Sequence, residues 1–150
     1  MPHRYIVKEA IISAVINGAA SGLIFMGLFG LGQPVAIWGR SGLWIDLAPQ
    51  SFVVSTTSIL VPALLAKHRL RNGGIEKCFS SALLPRALWR RTGLAGIVCP
   101  IAVVGLAGIA FRMFELQFLP AATALALKIA VGIGLALLVT PPGLRAELCR

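Results

Sequence analysis

The sequence predicts an all-α membrane protein, a bundle of four transmembrane helices forming one integral membrane domain over residues 1–150. Two observations carry this. Hydrophobic residues make up 57% of the chain and charged residues only 13%, about half the charged share of a soluble domain. Four apolar segments, residues 10–32, 47–66, 93–111 and 121–140, reach the roughly 20 residues a helix needs to cross a hydrocarbon core about 30 Å thick.

The first segment follows a short basic start with Arg4 and Lys8. A signal peptide has an apolar stretch of about 7–15 residues. Here Leu23-Ile24-Phe25-Met26 continues the run beyond Gly18-Ala19-Ala20-Ser21-Gly22, so a retained span is expected. Gly18 and Gly22 form GxxxG, a spacing that lets helix backbones approach closely. It supports helix packing and, more weakly, a homodimer. The connection after this span is itself apolar. Its Gly and Pro residues argue against a long regular helix, and Trp38 and Trp44 suit the headgroup level, where an indole buries its ring and keeps its N–H wet. We expect the connection to lie along the outer leaflet, with a shallow re-entrant dip as the alternative.

The second span carries Ser51, Ser55, Ser58 and Pro62 in one narrow stripe. Beyond it, residues 67–92 form a basic loop with a turn at Asn72-Gly73-Gly74. Within residues 75–89, Ile75, Phe79, Ala82 and Leu83 share one helical face and Glu76, Lys77, Ser80 and Ser81 another, the pattern of a short interfacial helix. Arg86, Arg90 and Arg91 beside it are candidate contacts for anionic lipid headgroups. In the third span Cys99-Pro100 predicts a kink, and Gly105 and Gly108 offer a close-packing surface. The fourth span enters after Pro120 and ends near Pro141-Pro142. Each half of the chain therefore crosses outward, turns through aromatic residues and returns to a proline, which suggests a duplicated two-helix hairpin.

Charge sets the orientation. The net charge is +9, but it is not spread as a nucleic-acid surface. Lys67, Arg69, Arg71, Lys77, Arg86, Arg90 and Arg91 fall in one loop, Arg4 and Lys8 precede the first span, and Arg145 and Arg150 follow the last. Basic loops stay in the cytoplasm. Both termini and the loop 67–92 are therefore expected inside, in a multi-pass protein of a bacterial inner membrane.

Chemistry has few places to sit. Ser13, Asn17 and Ser21 lie at i, i+4 and i+8 on the first span, hence on one face. Asn17 and Ser58 have matching depths, so a bond from Asn17 to Ser58 or Thr57 is expected, because lipid offers an amide no partner. Lys128, the one lysine in the four segments, sits about eight residues, roughly 12 Å, from Pro120, level with Ser55 and Thr56. No carboxylate is expected at that depth, with Asp46 and Glu115 nearer the outer surface. Lys128 either snorkels or forms a structural pair, or it provides a cationic contact for an anionic group.

Much is excluded. Cys78, Cys99 and Cys149 show no CxxC spacing, so neither a disulfide framework nor a metal site is expected. His3 and His68 lie at the membrane edge, so a haem has no ligand pair. No nucleophile–base pair or phosphate loop is present, and neither a catalytic activity nor a cofactor is expected.

Two functions fit. One is an oligomeric permease moving a small or anionic solute along Ser13, Asn17, Ser55, Thr56 and Lys128, for which Lys128→Met removes flux and leaves folding intact. The other is a non-catalytic accessory subunit that binds a membrane-protein partner or organises anionic lipid through Arg86, Arg90 and Arg91.

Overall fold

Apolar runs of this length close their backbone hydrogen bonds internally, because hydrocarbon offers no alternative partner. The computed structural model describes residues 2–71 and 87–148. In it α1 covers Pro2–Phe29, β1 Val35–Ala36, α2 Leu43–Arg71, α3 Leu88–Met113, β2 Phe118–Leu119 and α4 Ala121–Leu148. All four helices are long and apolar enough to cross a membrane.

The helices outrun their apolar segments. Hydropathy marks only the stretch that must face hydrocarbon, whereas the hydrogen-bond ladder continues into the polar flanks. This corrects the expectation for the first connection. α2 begins at Leu43, so Trp44, Asp46 and Pro49 are helical rather than part of an irregular surface segment. Pro62, Pro100, Pro141 and Pro142 also lie within helices, where neighbouring helices and hydroxyls can re-satisfy freed backbone groups.

The two connections at one end join as a short antiparallel ribbon, with Val35 opposite Leu119 and Ala36 opposite Phe118. The ribbon roofs a cluster of Phe25, Leu43, Leu47, Phe111 and Ala124. Trp38 and Trp44 do not keep their N–H groups for water. Trp38 Nε1 donates to the Leu116 carbonyl, and Trp44 Nε1 donates to the Val104 carbonyl of α3, each at 2.9 Å. The second bond depends on Gly108, where an added Cβ would stand 2.8 Å from Trp44 Nε1.

In space the helices run α1, α4, α2, α3. α4 packs against α1 on one side and α2 on the other, α3 lies against α2, and the sequence neighbours α1–α2 and α3–α4 touch only sparsely. Gly18 and Gly22 face Ile129 and Ile133 of α4, so the GxxxG motif serves packing within one chain. Ala14, Val54, Leu135 and Ala136 fill the middle of the bundle, and Ile6, Ala66, Leu144 and Leu148 the end that carries the termini. The expected interfacial helix, with Lys77, Cys78 and Arg86, falls largely at residues 72–86, outside the described residues, as does Cys149. Trp89 begins α3 as an exposed side chain.

Candidate functional site

α1 and α2 diverge, and between them runs a groove with α4 at one end of its floor. α1 contributes the stripe Glu9, Ser13, Asn17 and Ser21, spaced one turn apart as the helical period requires. In the half towards the termini, Ser13 Oγ donates to Ser58 Oγ at 3.2 Å. Asn17 Nδ2 donates to Ser58 Oγ at 3.2 Å and to the Ser13 carbonyl at 2.8 Å. The Asn17–Ser58 contact expected from matching depths is therefore made.

The half towards the ribbon holds the charges. Lys128 Nζ donates to the Asp46 carboxylate and lies 5.9 Å from the Phe25 ring centroid and 5.7 Å from that of Phe29. Gln50 Nε2 donates to Ser21 Oγ at 3.0 Å and to the Lys128 carbonyl at 2.8 Å. The pairing realises the structural-pair alternative, with Asp46 reached from below, and what it corrects is the level of Lys128, which is that of Gln50 and not of Ser55 and Thr56. The reason is the start of α2. With α2 beginning at Leu43, Gln50 is seven residues inside it, as Lys128 is seven inside α4 from Ala121. Both therefore lie about 10 Å deep at roughly 1.5 Å per residue, and Asp46 is one turn above. Starting α2 at residue 47 had put Ser55 and Thr56 at that level.

Ser55 and Thr56 are accordingly not part of the groove. Ser55 is buried and donates to the Phe52 carbonyl of its own helix, and Thr56 Oγ1 stands against Gly96 of α3. Of the sequence-derived path residues, Ser13, Asn17 and Lys128 come together, while Ser55 and Thr56 face elsewhere. Glu9, Asp46 and Gln50 are additions. Glu9 was legible as the i−4 extension of the Ser13–Asn17–Ser21 stripe, and Asp46 as one of two carboxylates on the outer side of Lys128, but Gln50 had no local signal.

The groove is made of two clefts. The one towards the ribbon has a volume of about 300 Å³ and is bounded by Ile24, Leu28, Asp46, Gln50 and Lys128. The other, about 380 Å³, is bounded by Glu9, Ile12, Ser13, Thr57 and Leu65. They share Asn17, Ala20 and Val53 and so form one continuous feature. Its walls are apolar and its floor carries the polar side chains. From Glu9 to Leu28 on α1 the groove spans about 28 Å, close to the full thickness of a hydrocarbon core.

A second buried ion pair lies at the end with the termini. Arg91 is 0% exposed and bonds to Glu147 of α4, with its Nε and Nη1 left without partners. This corrects its grouping as a lipid-headgroup contact, since a side chain that packs inward against α4 presents nothing to a membrane surface. Arg90, one position earlier, is exposed. Arg86 is outside the described residues.

Comparison with known proteins adds no relative. No family model matches the chain, and neither curated proteins nor solved structures give a similar one.

Proposed function

We propose that the protein is a small permease whose path is the α1/α2 groove, acting in a bacterial inner membrane with both termini and the basic 67–92 segment on the cytoplasmic side. The observation that carries this reading is the row of polar side chains beneath the groove, Glu9, Ser13, Asn17 and Ser21 on α1 and Asp46 and Gln50 on α2, spread along its length under apolar walls. A polar group crossing hydrocarbon without hydrogen bonds meets a cost of several kcal/mol. A row of such partners along the depth lowers that barrier, and the same side chains also join α1 to α2 through Ser13–Ser58, Asn17–Ser58 and Ser21–Gln50.

The Asp46 carboxylate changes what the path favours. It neutralises Lys128, so the groove is not a binding site for a free anion. α3 contrasts with α1, because between Gly93 and Phe111 it offers no hydroxyl, amide or charge. The polar route is thus confined to one side of the molecule. A duplicated-hairpin origin belongs to the same proposal. The pairings are the set that a twofold relation between the halves would require, α1 on α4 matching α3 on α2 and β1 on β2, and this supports two halves of common descent with only one keeping the polar groove.

The test is transbilayer movement of water-soluble solutes and of labelled lipids in reconstituted vesicles, with Ala20→Trp filling the groove and Asn17→Ala removing one partner of the row. Ala20 lies on the exposed face of α1, and loss of one interhelical hydrogen bond costs about 0.6 kcal/mol, so both variants retain the fold. Movement that Ala20→Trp abolishes supports the permease. Movement of neither class above protein-free vesicles rejects it and favours the accessory subunit.

A further inference from the structure

We infer that the groove takes an amphiphile: a lipid-like molecule whose headgroup bears an ammonium or hydroxyl donor and rides the floor while its chains stay in the surrounding bilayer. The inference rests on the permease reading and names its substrate class.

Three features point to it. First, the groove is open along its side to the membrane. Its rims are the exposed apolar residues Ile12, Ile16, Ile24, Val53 and Val61. An enclosed pore excludes alkyl chains, whereas a lateral opening with apolar lips leaves them in lipid while a headgroup is held inside. Secondly, the groove extends through about the full core thickness, with polar side chains placed along its floor from Glu9 to Asp46.

Thirdly, the floor asks for a donor. In the Lys128–Asp46 pair the lysine is 1% exposed and the carboxylate 17%, so the part left open is an acceptor. Gln50, on the same cleft, has its Nε2 fixed by the Lys128 carbonyl, which can only accept. That orientation leaves Gln50 Oε1 as a buried acceptor with no partner. A carboxylate edge and an orphan amide oxygen, about one turn apart on α2, suit a headgroup that donates hydrogen bonds. They disfavour one with acceptors alone.

The experiment is photo-crosslinking in vesicles that contain phosphatidylethanolamine and phosphatidylcholine, each in turn carrying a diazirine in its acyl chain, with adducts mapped by mass spectrometry. Phosphatidylethanolamine has an ammonium donor and phosphatidylcholine has none. Adducts are expected to concentrate on Ile16, Ala20, Ile24 and Val53 relative to Ile101 and Leu106, which are exposed residues on α3. The ethanolamine probe should exceed the choline probe at the groove by about fivefold, the ratio one net hydrogen bond confers, and Ala20→Trp should remove the excess. Equal labelling of α1, α2 and α3, or no preference between headgroups, overturns the inference. Solute movement accompanied by uniform labelling rejects the amphiphile and leaves the permease standing. Groove-confined, donor-selective labelling without transbilayer movement of any probe upholds the amphiphile site and rejects the permease. An Ala20→Cys variant that forms a disulfide between copies shows that a second chain fills the groove, and that too overturns the inference.

Discussion

Lys128 and Asp46 stand 82 positions apart in the chain, and their contact ties α4 to the first turn of α2 where the groove meets the ribbon. A lysine near the middle of a bilayer costs about 2.5–3.5 kcal/mol on insertion scales. A carboxylate partner, two aromatic faces and a position away from lipid offset that cost. The same contact makes each partner dependent on the other, because removing one leaves an uncompensated buried charge.

Lys128→Met is therefore expected to destabilise the protein by about 3–5 kcal/mol, rather than leave folding intact. Asp46→Asn should cost a similar amount. The double variant Asp46→Asn/Lys128→Met should recover more than half of the loss, since no charge is then stranded. Thermal unfolding in detergent, followed by the fraction that remains monodisperse, measures all three. Additive losses in the double variant contradict the pairing. For transport assays the double variant is the informative one, because it separates loss of the charge from loss of the fold.

Arg90 and Arg91 are adjacent in sequence and should behave oppositely. Glu147→Gln strands the Arg91 guanidinium and is expected to cost about 3 kcal/mol, whereas Arg90→Gln, at an exposed site, should stay within about 0.5 kcal/mol. Vesicle binding should respond to Arg90 alone. Equal effects of the two substitutions on stability would show that Arg91 is not held inside. Neutralising Arg86, Arg90 and Arg91 together cannot test lipid contact, because it removes an internal ion pair at the same time.

Gly108 and Gly105 provide a matched pair on α3. Gly108→Val places atoms where the Trp44 indole bonds the Val104 carbonyl, and overpacking of this kind costs about 1–3 kcal/mol. Tryptophan emission should shift as the indole leaves its site. Gly105, with nothing within 4 Å of an added Cβ, should accept valine with a change within about 0.5 kcal/mol and an unaltered spectrum. An unaltered spectrum in Gly108→Val would remove the Trp44–Val104 contact from the fold.

Much of the architecture was legible in the chain because lipid imposes a simple rule on it. Long apolar runs must be helices, so four of them appear at the expected places. The periodicity of α1 likewise put Ser13, Asn17 and Ser21 on one face, and counting residues from the helix ends was enough to pair Asn17 with Ser58. Counting failed for Lys128 only because α2 starts four residues earlier than its apolar run. Hydropathy reports solvent preference and not where a helical ladder begins, and the error moved Lys128 from Asp46 and Gln50 to Ser55 and Thr56.

The sequence by itself determined the solvent, the four helices and the polar face of α1, since each follows from hydrophobicity and a fixed helical repeat. Tertiary structure decided which helices touch, and therefore what each charge means. It set α4 between α1 and α2, gave Lys128 and Arg91 their carboxylates, turned the glycines of α1 towards α4, and left α1 and α2 apart with a polar floor between them. Those outcomes depend on side-chain packing between segments far apart in the chain, and no local pattern encodes them.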